Sequence, residues 1–401
     1  MIDSDRRQPE INAAWTRVCA LALCMGVCGL ALGLSYPLFS LVLAAAGVDD
    51  FQNGVSGAMT GLGILVSTFA VPAMLARLGT RRALLLGLAG TAACLTLAPF
   101  TGPSAFWLPL RFALGCCINV VFIVTEVWLN TTATDDQRGR MIGLYTAAMA
   151  AGFAAGPLLL VVFGSEGAAP FLACAALVCL AALPVLPLRD EPTGAKEEER
   201  VGCREILAFP ALAPLLVYLL LVYALFDGAA LVVLPLYFLE QGFSEAQSAG
   251  ALAALLAGMV VLQLPLGWLL DRLPRRVVIA GCALVAAACC AALPQVLDSP
   301  WLLGGLLLLL GGLAVGLYTG SFTLLGEHFS GAALVAGTAA MGVVFGLGNA
   351  LGPFAAGAAL QRFGADSLPT LLGGLFLATS LIALARAWQL ARRRAALQTA
   401  D

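Results

Sequence analysis

Apolar residues run along this chain in long blocks separated by short polar stretches. The blocks do not alternate apolar and polar at every second position, as barrel strands would, and they approach or exceed the ~20 residues a helix needs to cross about 30 Å of hydrocarbon. We place spans at 16–44, 55–76, 83–100, 105–129, 141–164, 168–187, 211–239, 247–270, 277–296, 301–325, 333–360 and 367–388. No water is available inside lipid to satisfy open backbone groups, so these segments must be helices. The pattern predicts an all-α membrane protein of twelve transmembrane helices.

Composition agrees with the pattern: 61% hydrophobic and 11% charged residues, at a mean hydropathy of +0.96, leave too little polar surface for a water-soluble globule of 401 residues. The few charges are placed unevenly. Of the 21 basic residues, one set of connecting segments holds Arg6, Arg7, Arg17, Arg77, Arg81, Arg82, Arg138, Arg140, Arg189, Lys196, Arg200, Arg204, Arg272, Arg275, Arg276, Arg386, Arg392, Arg393 and Arg394. The opposite set holds only Arg362, and Arg111 lies within a span. Positively charged loops resist translocation, so both termini are expected in the cytoplasm. The arginines serve topology, and the net charge of -2 does not support a nucleic-acid partner.

Asp3 and Asp5 precede a long apolar run with no small-residue cleavage pattern, so the first helix is expected to be retained. Most of the twelve cysteines fall inside spans, where a thiol behaves as a small apolar side chain, and a disulfide framework is not expected. Cys24, Met25 and Cys28 offer soft ligands of the kind that suit Cu(I), but small packing residues are the simpler reading, and we assign no metal site.

The two halves repeat each other. GFAAGP (Gly152 to Pro157) and GNALGP (Gly348 to Pro353) both read G-x-x-x-G-P at a separation of 196 residues, the shift that also relates Gly115 to Gly311; RLGTRR at Arg77 returns as RLPRRV at Arg272 after 195. Two six-helix halves with a substrate path between them are the plan of parallel-repeat transporters. The expected organisation is a first half over 1–188, a charged cytoplasmic linker over 189–208 carrying the only lysine, a second half over 209–390 and a basic tail over 391–401.

With these motifs the chain resembles the major facilitator superfamily of secondary transporters along essentially its whole length. LSYPLFSLVLAAAGV (Leu34 to Val48), EVWLN (Glu126 to Asn130), QRGRMIGLY (Gln137 to Tyr145) and QLPLGWLLDR (Gln263 to Arg272) are similar to the YcaD-like bacterial branch, which implies a multi-pass protein of the bacterial cytoplasmic membrane. The family's cytoplasmic hairpin motif, roughly G-x-L-x-D-R-x-G-R-R, is well kept in the second half as Gly267, Asp271, Arg272, Arg275 and Arg276, with Pro274 at the second glycine. In the first half Pro72 and Ala76 stand at the Gly and Asp positions, while Arg77, Gly79, Arg81 and Arg82 remain. An aspartate at a helix end beside arginines can pair with helix ends and hold the inner side shut, a gate role preferred here because topology alone needs no Asp271. Arg111 with Gly115 resembles the family's R-x-x-x-G element; a functional arginine and one that snorkels to the interface are both open. The G-x-x-x-G-P elements resemble the antiporter motif, with Gly152, Gly156, Pro157, Gly348, Gly352 and Pro353 as hinge and packing residues, which tilts the direction toward export.

Asp227, near the middle of the seventh span, is the leading proton-coupling candidate, because an ionised carboxylate in lipid must be paired, hydrated or protonated. Arg111 and Glu126 are further candidates, although Glu126 lies near the inner end of its span, where pairing with Arg81 or Arg82 in a gate is favoured. Glu327 closes the tenth span as a gate residue, and His328 beside it is read as interfacial. Tyr36, Asn119, Gln263, Tyr318 and Asn349 lie at cavity-compatible depths and serve equally as interhelical hydrogen-bonding groups or substrate contacts.

No G-x-x-x-x-G-K-[ST] loop exists, and a single histidine with no metal or nucleophile constellation argues against an enzyme. The expectation is a proton-coupled exporter of a small, partly apolar organic compound that works as a monomer by alternating access, without a cofactor. The partners are then a small-molecule substrate, protons and the bilayer. Import of a small metabolite or metal ion, or a non-transporting membrane sensor, is the alternative.

Overall fold

The computed structural model describes the backbone of residues 2–102, 105–132, 138–188 and 203–398, and within them the side chains of all but 2–13, 130, 138–139, 203–207, 331–332, 335 and 390–398. The linker expected over 189–208 therefore lies largely outside the described residues, whereas the backbone of the tail expected over 391–401 is described as helix to Gln398. The chain is helical throughout. In chain order the elements are α1 (Ile2–Ala45), α2 (Asp50–Leu78), α3 (Thr80–Thr101), α4 (Trp107–Thr132), α5 (Arg138–Phe163), α6 (Ala169–Ala182), α7 (Cys203–Leu212), α8 (Pro214–Val232), α9 (Leu234–Glu240), α10 (Glu245–Val261), α11 (Gln263–Arg272), α12 (Arg275–Ala292), α13 (Pro300–His328), α14 (Gly331–Phe363) and α15 (Ser367–Gln398).

Among the described residues, eleven helical segments are long and apolar enough to cross a membrane. The sixth expected span, 168–187, is shorter than its apolar run: α6 stops at Ala182 and a 3₁₀ turn over Leu183–Val185, with Pro184 inside it, completes an apolar segment of Ala169–Val185. Two other expected spans are broken. α8 gives way to α9 at Val233, two residues before Pro235, and α10 to α11 at Leu262, three residues before Pro265. A proline lacks the N–H its turn would donate, and its ring crowds the carbonyl four residues back, so each helix resets there.

The chain sorts into two compact units. The first comprises Met1–Val48, Ser56–Lys196 and Glu245–Ala249; the second comprises Asp49–Val55, Glu197–Ser244 and Gly250–Asp401. The opening turn of α2 thus packs with the second unit, and that of α10 with the first.

The same pairings build both units. In the first, α1 packs on α5, α4 and α6, and α3 packs on α4 and α6; in the second, α8 packs on α14, α13 and α15, and α12 packs on α13 and α15. The α1–α5 and α8–α14 contacts hold the G-x-x-x-G-P elements, and both depend on absent side chains. A Cβ at Gly152 would run into the Gly26 carbonyl, and one at Gly156 into the Gly33–Leu34 peptide; at Gly352 it would meet the Leu225 carbonyl. Dispersion between closely approaching backbones, not water exclusion, holds helices together in lipid, and glycine maximises that approach.

The two hairpins differ in how they turn. Gly79 alone separates α2 from α3, with φ 77°, a region costly to any residue with a Cβ. In the second unit Leu273 (φ -114°, ψ 161°) and Pro274 (φ -56°, ψ 111°) make an extended turn that needs no positive φ, which explains why proline is accepted at the motif's second glycine.

Candidate functional site

Asp227 stands midway along the α8–α9 pair and is 6% exposed. Its Oδ2 accepts a hydrogen bond from Nδ2 of Asn349 on α14 at 3.1 Å, and Oδ1 accepts none among the described residues. No cation pairs with it there, so the one group holding this carboxylate is a neutral amide. Tyr318, from α13, lies close by but one turn lower: its ring is 5.3 Å from that of Tyr223 on α8, and the Tyr223 ring stacks on Phe345 of α14 at 6.2 Å and 26°. Phe322 continues the cluster, 4.8 Å from Tyr318. Of the expected residues, Asp227 and Asn349 are therefore bonded, and Tyr318 reaches them through the Tyr223 and Phe345 rings. Tyr223 and Phe345 were not singled out from the sequence, although each lies four residues before Asp227 or Asn349 and so shares its helix face.

Arg111 builds a second buried polar site, in the first unit. It is 1% exposed; Nε donates to Thr60 Oγ1 at 3.2 Å and Nη1 to Ser56 Oγ at 3.3 Å. The rings of Phe39 and Tyr36 stand 5.1 Å and 5.7 Å from the guanidinium. The snorkelling alternative is thus not adopted: this arginine is enclosed. Its partners could be read from α2, where Asn53, Ser56, Thr60 and Ser67 recur at helical spacing and are all buried. Two turns along α4 from Arg111, Asn119 Nδ2 reaches the Ile64 carbonyl at 3.0 Å, Ser67 Oγ at 2.9 Å and Thr68 Oγ1 at 3.0 Å. Asn119 joins α2 to α4, and its amide nitrogen is fully engaged there.

The remaining expected residues scatter. Gln263 is exposed at the start of α11. Glu126 is exposed on α4, while Arg81 donates to the Leu186 carbonyl and ties the start of α3 to the turn that follows α6. In the second hairpin Arg275 pairs with Glu327 of α13, and Arg272 lies 4.2 Å over the Trp268 ring. Asp271 has no hydrogen-bond or ion-pair partner among the described residues, so the carboxylate paired with this hairpin is Glu327, not Asp271. Arg77 and Arg82 are exposed, and a Cβ at Gly267 would meet nothing within 4 Å. His328 Nδ1 contacts the Leu324 carbonyl at 2.9 Å, a local bond at the end of α13. Cys24 donates its thiol to the Ala181 carbonyl while the Met25 sulfur faces Thr125, so the two sulfurs serve different helix contacts.

Two units built on the same pairing of apolar helices, each with a buried polar centre and a small-residue seam, define a multi-pass membrane transporter. The Major Facilitator Superfamily model matches residues 21–259 and 216–400, and the chain belongs to that family. It is 27% identical over 359 residues to the MFS-type transporter YfkF of Bacillus subtilis (strain 168), covering 87% of this chain and 90% of that one. It is 25% identical over 382 residues to the MFS-type transporter YcaD of Salmonella dublin, covering 94% and 98%. The crystal structure of the nucleoside transporter NupG shares the fold, with a TM-score of 0.77 at 12% identity over 93% of this chain and 98% of that one.

Proposed function

We propose that this chain is a proton-coupled secondary transporter of the bacterial cytoplasmic membrane, an antiporter that exports a small, partly apolar organic compound by alternating access. The observation that carries the reading is Asp227, a buried carboxylate bonded to one neutral amide and to no cation among the described residues. Desolvation disfavours the ionised form, so the site is content either with a proton on the carboxyl or with a positive charge beside it, and exchange between those two states is what coupling requires. The seams at Gly152, Gly156 and Pro157 and at Gly348, Gly352 and Pro353 support a moving helix contact in each unit, and their likeness to the antiporter motif supports export. The inner-end residues Arg77, Arg81, Arg82 and Glu126, together with Gly267, Asp271, Arg272, Arg275, Arg276 and Glu327, act as the cytoplasmic gate. Arg111 is a positioning charge that holds α2 against α4.

The test is Asp227→Asn in proteoliposomes with an imposed pH gradient and a compound panel. The variant keeps the side chain's size and its bond with Asn349 while losing its titration. Uphill transport is expected to fall by about 100-fold or more, the scale on which a proton-transfer group acts, with insertion and folding retained. Normal uphill rates in the variant would remove Asp227 from coupling.

A further inference from the structure

The surroundings of Asp227 carry information about charge that the proposed function leaves open. Two layers meet there, both within the second unit. In the upper layer the carboxylate offers Oδ1 without a hydrogen-bond partner among the described residues, while Oδ2 is occupied by Asn349. In the lower layer, one helical turn of about 5.4 Å away, the rings of Tyr223, Tyr318 and Phe345 lie mutually within 5.3 to 6.4 Å. Burial is graded: Tyr223 and Asp227 are buried, whereas Tyr318, Phe322 and Phe345 are half-buried, so the aromatic layer is the more open end. By the expected orientation that end faces the cytoplasm, the side from which an exporter loads.

Electrostatics then select the ligand. Ring faces carry negative potential and attract cations by about 0.5–2 kcal/mol each as the site is desolvated, and the carboxylate adds a full negative charge. Both layers repel an anion. A neutral compound can donate a hydrogen bond to the carboxylate but leaves it without a counter-charge, so a cation gains more.

We propose that this cluster binds an organic monocation bearing apolar groups, such as a substituted ammonium or phosphonium, with Asp227 as its counter-charge and the Tyr223, Tyr318 and Phe345 rings as its wall. The inference rests on the reading of Asp227 as the coupling carboxylate and names the substrate class that exchanges with its proton. As the cation arrives, the carboxyl O–H bond breaks and the proton leaves to water, so the charge of the site is positive-for-positive conserved. The titratable group beside Asp227 is the phenol of Tyr223 on its own helix, which in turn meets Tyr318 on α13, and the neutral Asn349 comes from α14.

Tetraphenylphosphonium and tetraphenylborate, alike in size and shape and opposite in charge, test this on the purified full-length protein in detergent. Saturable tetraphenylphosphonium binding is expected, weakened at least about tenfold by Asp227→Asn and about three- to tenfold by Tyr318→Ala, the range of a lost cation–π contact. Thermal melting of each variant checks that it is folded. Affinity should fall as pH is lowered in the wild type, because protons compete, and should not change with pH in Asp227→Asn. Equal binding of tetraphenylborate, no saturable tetraphenylphosphonium binding, or undiminished binding by Asp227→Asn would each overturn the proposal. Asp227-dependent binding with transport that ignores an imposed pH gradient would sink proton coupling and leave the cation site standing. Gradient-driven transport of a neutral compound without cation binding would do the reverse.

Discussion

Arg111 in the first unit and Asp227 in the second are the charged side chains found buried among the described residues, at 1% and 6% exposure, yet they are held very differently. The guanidinium has two hydroxyls fixed on α2 and two aromatic rings beside it. The carboxylate has a single amide. A buried charge enclosed by several fixed partners is locked in one state, whereas one with a single neutral partner has an oxygen left to offer and a proton or a cation to gain. The two stand on helices that do not correspond, α4 against α3 and α1 in the first unit and α8 against α14, α13 and α15 in the second, so the repeated pairing does not set their roles; their polar neighbours distinguish them. On the proposed reading, one half carries a structural charge and the other an exchangeable one.

After the loss of coupling in Asp227→Asn, the largest effects are expected where the halves are most alike. Gly156→Val and Gly352→Val each drive a side chain into the backbone of the facing helix, Gly33–Leu34 or Leu225, whereas Gly143→Val meets nothing within 4 Å. Overpacking of this kind costs about 1–3 kcal/mol, or roughly five- to 150-fold in a conformational equilibrium. Transport by both seam variants at matched expression should fall by that order while Gly143→Val stays near wild type. Loss in one half only would show that the repeated seams no longer share a function.

Next in size is the contrast in charge. Arg111→Gln removes two hydrogen bonds to a charged donor, worth about 1.5–3 kcal/mol each, and also removes the desolvation cost of an ion without a counter-ion, several kcal/mol. These nearly offset, so the melting temperature should move by only a few degrees, and the pH profile of transport should keep its shape. The pH profile of Asp227→Asn should flatten. An Arg111→Gln profile that shifts along the pH axis would place Arg111 in the coupling chemistry and erase the distinction between the halves.

The smallest effect is expected at the opening turn of α2, which packs with the second unit. There the Asp50 and Glu240 carboxyls hydrogen-bond to each other, and Glu240 is pushed up to about 7 by burial first and then by the Asp50 charge and that bond. A carboxyl raised above its usual value supports the contact while it is protonated, so the support is complete well below the ordinary glutamate range and fades as pH rises through about 7. Backbone hydrogen exchange over 49–55, corrected for the intrinsic rate, should quicken between pH 6 and 8 in wild type. Glu240→Gln should abolish that step; its persistence would assign the pH response to another group.

Much of this was legible from the chain alone. Lipid imposes a length, an apolar composition and complete internal backbone hydrogen bonding, and those demands are local, so apolar runs announce helices. The G-x-x-x-G-P repeats announced close contacts, because only small side chains permit them. The breaks at Val233 and Leu262 were signalled by Pro235 and Pro265 but hidden by unbroken hydrophobicity.

What the sequence by itself determined, then, is the kind of element, the two-fold repetition and Asp227 as a costly residue. Tertiary structure alone decided which neighbours each costly group has: hydroxyls for Arg111, one amide and an aromatic layer for Asp227, Glu327 as the partner of Arg275, and a helix contact for Asn119. Partner choice depends on which faces of distant helices meet. The price of burying a charge can be read at one position, but whether it is met depends on atoms 50 to 120 residues away.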